Sequence, residues 1–139
     1  MTSATKTGLI GEHIALSSIL LIDGFSAAHT PMDKVDIIAW DNIGSLRIQV
    51  KASSFRFAKN NSSHKQFCYN VGVGGKKRMP TKEDFDILAF VAIEERKCFF
   101  RSVQCLKKIS YRIDRGFFYT PDIEFESWQK AVSIFRGEI

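Results

Sequence analysis

The chain has 139 residues, of which 45% are hydrophobic and 25% charged, with a formal net charge of +5. These values fit one globular domain over residues 1–139 whose core needs no disulfide or metal staple, and they exclude disordered, collagenous and repeat classes. A pI near 9.2 favours a polyanionic partner over an acidic surface.

The stretch "MTSATKT" reads as a loose lead-in. From Gly8 to Ile22 the apolar residues Leu9, Ile10, Ile14, Leu16, Ile19, Leu20 and Leu21 recur at three- and four-residue spacings before Asp23-Gly24, which predicts an amphipathic helix. One stripe of it, Gly8, Gly11, Glu12 and Ala15, is small except for the glutamate, so it can lie close against a sheet and present that carboxylate. No apolar run approaches the roughly 20 residues that span a bilayer. The helix also lacks a basic lead and carries Glu12 and His13, unlike a cleavable signal, so a cytoplasmic protein is expected.

"FSAAHT" predicts a short strand, ended by Pro31. Two clear strands follow, Val35 to Trp40 and Leu46 to Ala52, joined by the turn Asp41-Asn42-Ile43-Gly44. A further strand is expected over Gln66 to Val73. "FDILAFVAIEERKCFFRSV" predicts a second hairpin turning near Glu94-Glu95-Arg96. "TPDIEFESWQKAVSIF" predicts a closing helix with Thr120 as cap, Pro121 at the first helical position and Trp128, Val132 and Phe135 on its apolar face. Helix, strands, helix implies an α/β (α+β) fold with a central mixed or antiparallel β-sheet flanked by helices.

The chemistry concentrates in "VDIIAWDNIGSLRIQVKAS". Alternation along a strand puts Gln49 and Lys51 on one face and Ile48 and Val50 on the other, and the hairpin brings Asp36 alongside. A carboxylate, an amide oxygen and an ammonium would then meet at one sheet edge. A hard cation such as Mg²⁺ takes oxygen ligands, which Asp36, Gln49 and the Val50 carbonyl can supply, with Lys51 at the attacking water and the phosphate. Chance alone produces such a triplet often; here it interrupts two strongly apolar strands in a basic chain, after a helix carrying Glu12.

Through "GLIGEHIALSSIL", "VDIIAW" and "IQVKAS" the chain resembles the PD-(D/E)XK nuclease superfamily, the restriction-endonuclease-like fold shared by restriction enzymes, archaeal Holliday-junction resolvases and some intron homing endonucleases. The resemblance covers roughly Gly8 to Ser54. It matches Glu12 to the helix glutamate of many members, Asp36 to the metal-binding aspartate, Gln49 to the acidic position of the E-x-K element and Lys51 to its catalytic lysine. It implies Mg²⁺-dependent (or Mn²⁺-dependent) hydrolysis of DNA phosphodiesters. Val35 stands where many members have proline. Gln49 stands where most have Asp or Glu, and a neutral amide is the poorer ligand for Mg²⁺; Q-x-K variants occur among active members, an intron homing endonuclease included.

"GVGGKKRM" lacks the spacing and the Ser or Thr of a P-loop. Lys76, Lys77 and Arg78 in it are either a basic loop on a DNA backbone or a solvated turn. Ser53, Ser54, Arg56, Lys59 and Lys65 are further DNA-binding candidates on the same side. His13, His29 and His64 are too scattered to form a metal set, and Cys68, Cys98 and Cys105 read as reduced thiols. The leading expectation is a metal-dependent DNA endonuclease, of homing, restriction or junction-resolving type, acting as a homodimer or higher symmetric oligomer because two strands need two sites. Its alternatives are a nucleic-acid-binding domain of the same fold without catalysis, and a protein-interaction domain.

Overall fold

A computed structural model describes residues 1–55 and 65–138. Helix α1 (Ser3–Leu20) is followed by strands β1 (Ser26–His29), β2 (Ile37–Trp40), β3 (Ser45–Ser53), β4 (Gln66–Asn70), β5 (Ile87–Ala92), β6 (Lys97–Ser102) and β7 (Ser110–Asp114), and helix α2 (Ile123–Phe135) ends the chain. Five strands form one sheet in the order β1-β2-β3-β5-β6, and β4 pairs with β7 in a second. In the main sheet only β3 and β5 run parallel, with Gln49 opposite Leu88 and Lys51 opposite Phe90; the other neighbours are antiparallel. The sheet is therefore mixed, as the sequence implied.

The two faces of this sheet carry separate cores. Leu46, Ile48 and Val50 of β3 join Ala89, Val91, Phe100 and the helix residues Ala15, Ile19, Trp128 and Val132 on one face. On the other, Leu88, Phe90 and Phe99 pack with Phe67, Tyr69, Tyr111 and Phe118 beneath the small sheet. β5 is buried on both faces, which explains its unbroken apolar run. α1 approaches β3 closely at Gly11, where a Cβ would overlap that of Ala52. This is the small-residue stripe read from the sequence, with Gly11 and Ala15 both buried.

Three expectations are corrected. The N-terminal stretch is helical almost from its start, because the Thr2 hydroxyl accepts a hydrogen bond from Thr5 N at 3.2 Å and caps α1. α2 begins at Ile123 with Asp122 as its cap in a left-handed conformation (φ 55°), so Thr120 and Pro121 lie in the preceding turn. β4 ends at Asn70 rather than Val73, and its partner β7 was not foreseen. The β2–β3 turn is held as expected at Asp41, whose Oδ1 accepts from Ile43 N (3.0 Å) and Gly44 N (3.2 Å) while Arg136, just past α2, pairs with the carboxylate. Among the described residues no helix is long and apolar enough to cross a membrane.

Candidate active site

The β2–β3 ladder pairs Ile37 with Ile48, yet Asp36 N also donates to Ile48 O at 2.8 Å. Two residues of one strand thus face one of the other, a bulge that turns the Asp36 side chain along the ladder. Two residues earlier the backbone reverses at Lys34, whose φ is 63°. Where the strands part, Val50 N has no β2 carbonyl to bond, and Asp36 Oδ2 accepts from it instead at 2.7 Å. The same oxygen accepts from Gln49 Nε2 at 2.9 Å.

Lys51, two residues beyond Gln49, shares its face and is half-buried. Its pKa is lowered, first by burial and then by the positive charge of Lys77, while Asp36 opposes the shift. The Asp36 carboxyl is raised above the ordinary carboxylate range by burial, which outweighs the hydrogen bonds of Val50 and Gln49 and the charges of Lys51 and His29. Glu12 reaches the same place from α1. Burial and the charge of Asp36 raise its pKa, whereas His29 and His13 lower it. His29 Nδ1 lies 3.7 Å from Glu12 Oε1, and the His13 and His29 rings meet edge to face with centroids 5.0 Å apart.

Glu12, Asp36, Gln49 and Lys51 are therefore brought together at the end of the sheet. A groove of about 740 Å³ runs from Lys51, Ala52 and Ser53 past Thr7 and Gly8 of α1 to its N-terminus. The DNA-binding candidates separate in their surroundings. Lys76 and Lys77 are exposed in a turn, and Lys65 is exposed before β4. Arg78 is exposed but pairs with Asp84 through two bonds of 2.9 Å. Ser53 Oγ accepts from Cys68 N at 3.1 Å. Ser54 is buried, and its hydroxyl donates to Glu94 Oε2 at 2.6 Å. Arg56 and Lys59 lie outside the described residues.

Fitness for a cation rests on oxygen atoms. Oδ2 of Asp36 is occupied by two donors, while Oδ1 and the Gln49 Oε1 accept no hydrogen bond among the described residues. Those two oxygens, with a backbone carbonyl, suit a hard divalent ion. Among the described residues no three His, Cys, Asp or Glu side chains are grouped to hold a metal. Sequence reasoning set His29 aside as scattered from His13, whose ring it meets beside Glu12, and passed over the buried Asp84. The latter had one signal, two aspartates flanking Phe85 just before a fully apolar strand.

Among solved structures the chain is similar to a bacterial homing endonuclease, I-Ssp6803I, with a TM-score of 0.68 over 99% of this chain and 97% of that one, at 16% sequence identity. The fold is nuclease-like. No family model and no curated protein matches the chain by sequence. The similarity extends across both sheets and both helices, well beyond the N-terminal third in which the sequence resemblance lay.

Proposed function

We propose that the protein is a metal-dependent DNA endonuclease. The observation that carries this reading is the Asp36 carboxylate, fixed by Val50 N and Gln49 at the parting of two strands beside Lys51, with no arginine or lysine bonded to it among the described residues. Asp36, the Gln49 amide oxygen and the Val50 carbonyl would hold Mg²⁺ or Mn²⁺, with DNA phosphate and water completing the shell. When bound, the ion supplies Lewis-acid polarisation of the phosphoryl oxygen and lowers the pKa of water.

The side chains do the rest. Lys51, desolvated and pushed down in pKa, is poised to hold the attacking water and to stabilise charge on the phosphate. Gln49 orients the Asp36 carboxylate, and Glu12 adds the negative charge that an amide at position 49 does not supply. Ser53, Lys65, Lys76 and Lys77 would contact the DNA backbone, with the buried Ser54 and the Asp84-bound Arg78 supporting that surface and Arg56 and Lys59 assigned to it from the sequence. Cutting two strands calls for two sites and hence a symmetric oligomer. Target choice, homing, restriction or junction-resolving, is open to experiment.

A second reading, a DNA-binding domain of this fold without catalysis, is favoured by the neutral Gln49 and the lack of a three-ligand group among the described residues. Cleavage of supercoiled plasmid and of a synthetic four-way junction, with Mg²⁺ or chelator, separates the two. The endonuclease cuts one of them with Mg²⁺ and loses this in Lys51→Ala; the binding domain shows salt-sensitive DNA binding indifferent to Mg²⁺ and to Lys51.

A further inference from the structure

The basic turn is built, not merely solvated. Val73 and Arg78 exchange both backbone hydrogen bonds, at 3.0 and 3.1 Å, and Gly74 between them takes φ 85°. At Gly72 a Cβ would come within 2.8 Å of Lys77 Cβ and 3.1 Å of Ile109 Cγ2, so the Lys77 stem folds back over a position that only glycine leaves room for. Asn70 Oδ1 accepts from Gly72 N at 3.0 Å and fixes the entry to the turn.

The exit is fixed by Asp84. This buried carboxylate accepts two bonds of 2.9 Å from the Arg78 guanidinium, one of 2.8 Å from Thr81 N and one of 3.4 Å from Lys34 Nζ. Lys34 is the residue of reversed backbone that delivers Asp36 to the site. One buried charge therefore ties together the arm that carries the proposed cation ligand and the turn that carries Lys77. Arg78 and Lys34 neutralise Asp84 between them, and Lys77 has no ion-pair partner among the described residues. The positive charge of Lys77 also helps to lower the pKa of Lys51. An ammonium carried on a fixed turn and paired with no carboxylate is a ready place for a phosphate.

We infer that Asp84 is the positioning residue which sets Lys77 and Asp36 in register, and that Lys77, so placed, is a cation on the DNA phosphate held at that site. This rests on the endonuclease reading for its substrate, though not for the anchoring. The test is a double-mutant cycle in single-turnover cleavage at saturating DNA, run well below the melting temperature of each variant. Lys77→Ala should slow cleavage by about tenfold or more and Lys77→Arg should restore most of it, since a charged hydrogen bond to the transition state is at stake. In an Asp84→Asn background the Lys77→Ala change should cost less than about twofold, whereas in Asp86→Asn, which breaks another buried aspartate–arginine pair, it should cost its full factor. A Lys77→Ala rate within twofold of wild type, or equal Lys77 effects in both backgrounds, overturns the proposal.

Amide hydrogen exchange supplies a readout independent of cutting. Asp84→Asn should speed exchange at both Arg78 and Asp36, and Asp86→Asn at neither. Loosening of the turn alone, or of neither, sinks the shared anchor. A wild type that cuts no DNA while the exchange result holds would remove the endonuclease reading and Lys77's phosphate role, and leave Asp84's anchoring intact.

Discussion

Asp36 and Asp86 both accept a hydrogen bond from a backbone amide of the same strand, at the same distance. Asp86 Oδ2 takes Arg47 N at 2.7 Å and Asp36 Oδ2 takes Val50 N at 2.7 Å. What differs is the rest of the shell. The Arg47 guanidinium lies across the Asp86 carboxylate, with Nε at 3.3 Å and a terminal nitrogen at 2.9 Å, and also bonds the Lys82 carbonyl. Asp36 receives only the neutral amide of Gln49, with Glu12 adding like charge nearby. A buried carboxylate bonded to a cation within the fold holds structure together, and one that bonds none among the described residues is left to take one. The same distinction divides the basic residues, with Arg47 and Arg78 committed to aspartates while Lys51 and Lys77 have no ion pair among the described residues.

The largest effect that separates the two aspartates is on cleavage. Asp36→Asn should lower the single-turnover rate by at least about a hundredfold, as removal of a principal electrostatic group does, whereas Asp86→Asn should retain cutting below its melting temperature. Stability runs the other way. Asp86→Asn leaves the Arg47 guanidinium without its carboxylate and should cost about 2–3 kcal/mol, less than a fully buried pair because Arg47 is partly exposed; urea unfolding measures it.

Asp36→Asn should be no less stable than wild type at neutral pH. Burial raises the folded-state pKa of Asp36, so the folded protein holds that proton more tightly than the unfolded chain, and ionisation above the folded pKa destabilises. The melting advantage of Asp36→Asn should therefore shrink as the pH falls through the folded pKa and vanish below the ordinary carboxylate value. The same sign would govern a metal at Asp36: protons would compete for the carboxylate, and the Mg²⁺ needed for half-maximal cutting should rise as the pH falls through the same range.

Gln49→Glu gives a smaller and more diagnostic change. It adds a carboxylate ligand and removes the Nε2 donor to Asp36. Without a divalent ion the two carboxylates repel and the melting temperature should fall by a few degrees, for about 1 kcal/mol. Saturating Mg²⁺ should recover the loss, with a several-fold lower Mg²⁺ requirement for cutting. A Gln49→Glu protein indifferent to Mg²⁺ in both measurements would place the cation elsewhere.

The site was legible where physics is local. Strand alternation put Gln49 and Lys51 on one face, the Asp41 turn fixed the hairpin that returns Asp36 to them, and helical spacing put Glu12 on the stripe with Gly11. Two features depended on chain segments that no periodicity links. Lys34 and Asp84 are 50 residues apart, and nothing near Lys34 announces its left-handed backbone. β7 escaped notice because "SYRID" alternates over only five residues, three of them polar, and its pairing with β4 comes from the shared aromatic core of Phe67, Tyr69 and Tyr111. The α2 cap went astray because Thr120-Pro121 is a sound local start signal, overridden by the turn that puts Asp122 at φ 55°.

The most direct measurement is Mn²⁺-dependent nicking of supercoiled plasmid by wild type, Asp36→Asn and Asp86→Asn, each confirmed folded at the assay temperature. A divalent ion held at Asp36 requires nicking that needs Mn²⁺, survives Asp86→Asn and is lost in Asp36→Asn. Nicking that persists in a folded Asp36→Asn protein, or that proceeds equally in chelator, would contradict it.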